Sequence, residues 1–380
     1  MGSTTTVRRA LRLIEDGALN RDGVAQLAER LGVGERYLRK LFQRELGVSP
    51  GALALNQRLL FAKKLLAETS MPMTQVAYAA GFGSVRRFND AVQAHFRLAP
   101  GALRRHSRTA SASSPIRLHL QYRPPYDWAG VSAFFARHAI AGIETVSDDE
   151  YTRVVALEGA LGHIRVCHLP HTNNLQLQID IDELRLLMPI VARVRRMFDL
   201  DANPSAIAAV LGRDPELSQL LQRFPGIRAP GHWSLWESAA RAVVGQQVST
   251  AAARSVLHKI AGVCGGPGFP EPGALTALAD CHYPMPGRRR DTLRHLGELF
   301  DGRNDQVALD EIAALKGIGP WSIGMIGIRG VGQPDCFPNA DLGLLRAYEA
   351  LAPGENLQAR SEIWAPWRSY AANLLWRSLK

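Results

Sequence analysis

The apolar pattern of this 380-residue chain changes period twice, and each change marks a different kind of element. Residues 7–106 repeat apolar side chains at helical spacing, rich in Ala, Leu and Arg, with almost no β-branched runs. From Ile116 to about Phe198 the pattern alternates, as in Ile116-Arg-Leu-His-Leu-Gln-Tyr, Thr152-Arg-Val-Val-Ala-Leu, His163-Ile-Arg-Val-Cys-His and Leu175-Gln-Leu-Gln-Ile-Asp-Ile. Period-two stretches put alternate side chains on opposite faces and predict strands. Helical segments separate them near Ala129–His138 and Glu183–Phe198. From about Asn203 helical spacing returns, broken by Gly and Pro. Between the first two regimes, Ser107-Arg-Thr-Ala-Ser-Ala-Ser-Ser-Pro is small and polar and reads as a linker. The expected fold is therefore mainly α and multidomain: an all-α module over 1–106, a linker over 107–115, a small α+β module with an antiparallel sheet over 116–202, and an all-α module over 203–380.

Charge divides the chain as sharply as periodicity does. The net charge is +10, but residues 1–107 hold 17 Lys/Arg against 8 Asp/Glu, while the remainder holds 28 against 27. The first module is a candidate for a polyanionic partner, although a solvated basic helical surface has the same balance. No run of about 18 apolar residues occurs, so a membrane-crossing helix is not expected. The start, Met-Gly-Ser-Thr-Thr-Thr, lacks a signal-peptide core, which makes a cytoplasmic location the expectation. Cys167, Cys264, Cys281 and Cys336 form no C-x-x-C pair and no zinc-finger spacing with His, so free thiols and no protein-bound metal are expected.

Within the basic module, Gly23-Val-Ala-Gln-Leu-Ala-Glu-Arg-Leu-Gly-Val-Gly-Glu-Arg-Tyr-Leu-Arg-Lys-Leu-Phe lays out a short helix burying Val24, Leu27 and Ala28, a turn at Gly32, and a second helix burying Leu38, Leu41 and Phe42. A second copy starts at Thr74, turns at Gly81 and buries Phe88 and Phe96; Gly51 to Glu68 reads as one linking helix. This paired helix-turn-helix arrangement, over residues 8–106, resembles the DNA-binding domain of AraC-type regulators. The resemblance implies that each second helix enters the major groove by its N-terminal residues: Glu35, Arg36, Arg39 and Lys40, then Ser84, Arg86 and Arg87. Arginines suit guanine edges, and Lys40 suits either base or phosphate. The second copy departs from the usual pattern at Leu98, where Gly is commoner.

In the last module, Leu315-Lys-Gly-Ile-Gly-Pro-Trp-Ser is a Gly-x-Gly hairpin between apolar helices. Gly317, Ile318 and Gly319 form its tip, where missing side chains let backbone N–H groups approach a phosphate. About twenty residues later Asp341 opens an apolar helix in Phe337-Pro-Asn-Ala-Asp-Leu-Gly-Leu. Taken singly, the first could be a structural hairpin and the second a helix N-cap. Together they resemble the helix-hairpin-helix DNA glycosylase superfamily, with its Gly/Pro-rich loop ending in the catalytic Asp. Pro124-Pro-Tyr-Asp-Trp, Leu200-Asp-Ala-Asn-Pro, Trp236-Glu-Ser-Ala-Ala-Arg-Ala-Val-Val-Gly-Gln-Gln-Val-Ser and Trp364-Ala-Pro-Trp-Arg-Ser-Tyr-Ala extend the likeness to DNA-3-methyladenine glycosylase II over residues 116–380.

That resemblance implies base excision by flipping a damaged nucleotide out of the duplex. Backbone-cutting relatives carry a Schiff-base Lys two positions after the second hairpin glycine; here that position is Trp321, which implies a monofunctional hydrolase leaving an abasic site. Lys316 lies before the hairpin and reads as a surface or phosphate contact. Alkylated bases such as 3-methyladenine and 7-methylguanine are cationic and leave without a general acid, so the single carboxylate of Asp341 suffices. Trp321, Trp376 and Phe134 match pocket-lining positions whose π-faces suit a cationic base, though core packing would use the same residues. Met325 and Leu342 stand at two further pocket positions that are aromatic in the best-known relatives. Gln247, after Gln246, is the expected wedge into the vacated stack, and Arg289 and Arg290 are either DNA-facing or simply solvated.

The leading expectation is thus an alkylbase glycosylase fused to a sequence-specific regulator module, similar in its first third to Ada-type adaptive-response regulators, whose methyl-accepting zinc domain does not occur in these 380 residues, whether the whole protein has one or not. Its partners would be double-stranded DNA with alkylated bases, promoter DNA and RNA polymerase. It would use no cofactor, with a monovalent cation at the hairpin as the one option. Two other readings remain: a regulator whose glycosylase-like module is a non-catalytic sensor, and a glycosylase on a non-specific DNA tether.

Overall fold

The computed structural model describes residues 3–104, 115–303 and 306–379. The expected linker lies outside the described residues except for Pro115. The chain falls into two compact units: Met1–His119 with Ala156–Ile164 and Gln176–Arg193, and Leu120–Val155 with Arg165–Leu175 and Val194–Lys380.

The first unit begins with eight helices: α1 (Ser3–Glu15), α2 (Ala18–Arg21), α3 (Val24–Arg30), α4 (Glu35–Leu46), α5 (Pro50–Glu68), α6 (Met73–Ala79), α7 (Val85–Phe96) and α8 (Pro100–Arg104). α3–α4 and α6–α7 are the two helix-turn-helix copies, and α5 is the linking helix. Leu27, Ala28, Leu38 and Phe42 join Ala10, Ile14 and Ala54 in one core, with Val24 only partly buried against it. Gly32 and Gly81 make the two turns at φ +69° and +77°, the left-handed region that Gly enters without penalty. Phe88 is buried, but Phe96 is only half-buried, with the Lys63 ammonium 5.4 Å over its ring. The expected irregularity at Leu98 falls one residue earlier. Arg97 takes the left-handed position (φ 57°) that Gly47 fills after α4, while Leu98 is exposed. Both second helices keep twelve residues.

Five strands form the sheet: β1 (Ile116–Gln121), β2 (Glu144–Val146), β3 (Glu150–Leu157), β4 (Ala160–Leu169) and β5 (Asn174–Ile181), in the order β1-β5-β4-β3-β2. β2 is not visible in the sequence because three residues are too few to show a period. It lies antiparallel to β3, with Glu144 opposite Arg153. α9 (Trp128–His138) follows β1, and α10 (Leu187–Met197) follows β5.

The helical remainder comprises α11 (Pro204–Leu211), α12 (Pro215–Arg223), α13 (Leu235–Val244), α14 (Thr250–Cys264), α15 (Pro272–Thr276), α16 (Gly287–Phe300), α17 (Leu309–Ala313), α18 (Pro320–Ile326), α19 (Leu342–Leu351), α20 (Leu357–Ser361) and α21 (Arg368–Ser378). α13 is buried along its whole length although it carries Glu237 and Arg241. A closed ion network explains this. Arg241 donates to Glu237 (2.9 Å) and Glu144 (2.6 Å), Arg153 donates to Glu237 (2.9 Å), and Tyr151 donates to Glu144 (2.8 Å). Burial alone would raise the Glu144 pKa, but the Arg241 and Arg153 guanidiniums hold it below the usual carboxylate range. Two apolar clusters meet at the end of α18: Ile326, its last residue, belongs to one with α13 and α16, and Ile328, two residues further on, to another with α19 and α21.

Candidate active site

Position 341 starts a helix because Asp is a good N-cap: its Oδ1 accepts from the Leu344 backbone N–H at 3.0 Å. That bond accounts for one of the roughly four lone-pair positions of a carboxylate. Trp376 Nε1 donates to the same Oδ1 at 2.9 Å, and Trp321 Nε1 donates to Oδ2 at 2.9 Å. The two tryptophans come from α21 and from the residue pair that opens α18, and both are half-buried. Their indole edges hold the carboxylate, a role that stacking alone does not describe.

The hairpin places Trp321. Gly317 sits at φ +92°, and a Cβ there would stand 2.1 Å from Thr292 Oγ1. That hydroxyl has one proton to share between the Arg288 and Lys316 carbonyls, at 3.0 and 3.1 Å. Gly319 is extended, with nothing within 4 Å of where a Cβ would stand, so its small size serves the open side of the hairpin. Ile318 packs on the core beneath. A glycine that the motif reading passed over matters as much: a Cβ on Gly343 would lie 2.9 Å from Asp341 Oδ1 and 3.3 Å from the Trp376 ring. Its position in Asp341-Leu-Gly was the available signal.

Gln246 and Gln247 separate in role. Gln246 Nε2 donates to the Gly317 carbonyl (2.8 Å) and to Ser322 Oγ (3.0 Å), tying its loop to the hairpin. Gln247 is exposed and left-handed at φ 56°, a conformation that costs an ordinary L-residue of order 1 kcal/mol and concentrates at functional sites. Met325, one turn beyond Trp321, is half-buried against the core, and Leu342 projects into solvent at 67% exposure. Phe134, on α9, is buried and meets Trp376 through an unforeseen residue. Arg329 is 6% exposed, with its guanidinium carbon 4.3 Å over the Phe134 ring and 5.1 Å over the Trp376 ring. Burial pushes the Arg329 pKa down to about 9, with the Arg137 charge adding to the effect and Asp341 opposing it. Arg289 donates to the Val244 carbonyl at 3.4 Å, and Arg290 pairs with Asp280 and Asp291.

In the helix-turn-helix unit, Arg36, Lys40, Arg86 and Arg87 are exposed. Arg39 is engaged by Glu35 at 2.6 Å, and Arg86 lies 4.0 Å from Asp90. Ser84 is the N-cap of α7, its Oγ accepting from Arg87 N at 3.3 Å. Tyr37, beside Arg36 and half-exposed, is a further surface residue on α4. Among the described residues no group of three or more His, Cys, Asp or Glu could hold a metal, and no helix is long and apolar enough to cross a membrane.

This fold recurs in solved structures. A 3-methyladenine DNA glycosylase from Archaeoglobus fulgidus superposes with TM-score 0.57 at 20% identity, covering 68% of this chain and 96% of that one. Residues 117–234 match the model of the AlkA N-terminal domain, and residues 27–106 match a helix-turn-helix domain. The class is therefore a DNA glycosylase of the helix-hairpin-helix fold joined to an AraC-type DNA-binding module. A probable bifunctional transcriptional activator/DNA repair enzyme AlkA from Mycobacterium tuberculosis is 39% identical over 98% of this chain and 80% of its own length. Escherichia coli DNA-3-methyladenine glycosylase 2 is 29% identical over 68% of this chain and 95% of its own length. The chain belongs to the AlkA family.

Proposed function

We propose that this enzyme excises 3-methyladenine, 7-methylguanine and related alkylated bases from duplex DNA by hydrolysis, leaving an abasic site, and that its first module reads promoter DNA and engages RNA polymerase in the cytoplasm. The observation that carries the catalytic reading is the carboxylate of Asp341, held between two indole N–H groups directly beside the hairpin. Three of its lone-pair positions are occupied, two on Oδ1 and one on Oδ2. The remaining position, on Oδ2, is where an attacking water is held and deprotonated as the sugar gains positive charge. A cationic base departs neutral, so no acid is needed on the leaving-group side. The fixed carboxylate acts mainly on the oxocarbenium-like transition state, where its charge is worth most. Trp321 at the position where lyase relatives carry an amine supports hydrolysis without strand cleavage.

The test is chromatography of bases released from alkylated duplex by the wild type and Asp341→Asn. The variant should release none while binding abasic-site DNA nearly as well as the wild type. Undiminished release would sink the assignment of Asp341. For the regulator reading, exposed Arg36 and Arg86 on separate second helices favour sequence readout over a tether, and binding-site selection with the full-length Asp341→Asn protein should enrich one motif.

A further inference from the structure

We infer that Arg329 is a positioning residue of the glycosylase site, a buried cation that sets both aromatic walls and, through Trp376, the catalytic carboxylate. This rests on the excision reading above. Its placement begins in the backbone. α18 does not stop at Ile326 but continues as a π-helical turn over Gly327–Val331, with Gly332 N donating to Gly327 O five residues back. Such turns re-aim one side chain relative to an α-helix and are frequent at functional sites. Three glycines let neighbouring side chains and backbone close on it. A Cβ on Gly330 would stand 2.9 Å from Leu235 and Ser238, one on Gly327 2.5 Å from Cys336 Sγ, and one on Gly231 2.8 Å from the Arg329 carbonyl. That carbonyl also accepts from His232 N at 2.8 Å.

So clasped, the side chain has little choice of direction. Its Nη1 donates to the Pro230 carbonyl at 2.6 Å, Nε has no hydrogen-bond partner among the described residues, and the guanidinium carbon lies over the rings of Phe134 and Trp376. Among the described residues no carboxylate forms a salt bridge with it, and its hydrogen bond goes to a backbone carbonyl. A buried charge without a carboxylate partner is an expensive way to fill space, since an apolar side chain of similar volume avoids the desolvation. What the charge does here is hold two ring faces at once by cation–π attraction. Trp376, gripped on its face by Arg329, presents its edge N–H to Asp341 Oδ1. The same cation adds a positive field at Asp341. The chain of contacts therefore runs from the π turn to the guanidinium, from the guanidinium to the indole, and from the indole to the carboxylate.

Arg329→Met and Arg329→Lys in the full-length protein separate this role from mere filling. The readouts are the single-turnover rate of base release from alkylated duplex, the affinity for abasic-site duplex, and the melting temperature. If Arg329 only fills space, Met is tolerated at least as well as Lys on all three. If it positions the site, Met lowers the release rate roughly 10–100-fold, the size expected for a slightly misplaced catalytic group, with abasic-site affinity near wild type, and Lys recovers most of the rate. Should the Met variant not fold, Arg329→Gln, which keeps a donor for Pro230 without the charge, is expected to show the same loss. A folded Met or Gln variant with the wild-type rate overturns the inference. If the wild type itself releases no base, the excision reading fails instead, and the two failures are told apart.

Discussion

At the scale of single residues, the partners of Asp341 determine what each substitution should do. Trp376→Phe and Trp321→Phe keep the ring and its stacking face but remove one charge-assisted hydrogen bond each. Such bonds are worth about 1.5–3 kcal/mol, so each variant should slow single-turnover release by roughly 10–100-fold while keeping affinity for abasic DNA. A loss of binding with an unchanged rate would mean that the rings act only as pocket walls. Gly343→Ala should resemble these variants, because its new Cβ meets both Asp341 and Trp376. Borohydride should trap no covalent protein–DNA adduct during turnover, since Trp321 offers no amine. The residue roles were unevenly legible beforehand. Asp341 and the hairpin glycines stand in compact motifs, whereas Arg329 matters through Phe134 and Trp376, which are far from it in sequence. No local pattern encodes such a meeting.

Among elements, a buried ion network joins α13 to β2 and β3. Glu237→Ala would leave Arg153 and Arg241 buried with half of their counter-charge, and removing one partner of such a group typically costs about 3–5 kcal/mol. Thermal or urea unfolding of the full chain should show that loss. A cost below about 1 kcal/mol would show that water reaches the arginines. The helix-turn-helix copies were readable as elements because their turns need glycine at positive φ and their cores follow helical spacing. β2 was not, and neither was the π turn after α18, since both are set by the partners against which they close. The separation of Gln246 from Gln247 belongs here too. Adjacent glutamines look alike in sequence, and only the hairpin's carbonyl distinguishes them.

For the whole molecule, charge and acid sensitivity are the measurable consequences. With its excess positive charge in the first 107 residues, the full chain should bind undamaged duplex with an affinity that falls steeply with salt, through counterion release. Arg36→Ala or Arg86→Ala should cost about 1–3 kcal/mol at the selected site and less on random DNA. Equal losses on both would favour the tether. Stability should also fall with acid. Burial pushes the His138 pKa down to about 3 and that of His232 well below its usual value. The unfolded chain therefore takes up protons below pH ~6.5 that the folded chain refuses. Asp199, raised to about 7 by burial, works in the opposite direction over about pH 4–7, but as one group against two. The melting temperature should accordingly drop between pH 6.5 and 5, and a flat profile would contradict the neutral burial of the two histidines.

What the sequence determined by itself was whatever repeats locally or sits in a short motif: helical and alternating periods, glycine turns, the basic first module, and the hairpin followed by its aspartate. These follow from backbone geometry and from burial of one face, which act over a few residues at a time. Tertiary structure alone decided which edges and faces meet. It brought Trp321, 20 residues before Asp341, and Trp376, 35 residues after it, onto the two oxygens of one carboxylate, and set Arg329 behind Trp376 against Phe134. The physical reason is that a hydrogen bond or a cation–π contact is specified by where two elements pack. That packing gathers residues distant in the chain, as in the two apolar clusters to which Ile326 and Ile328 belong.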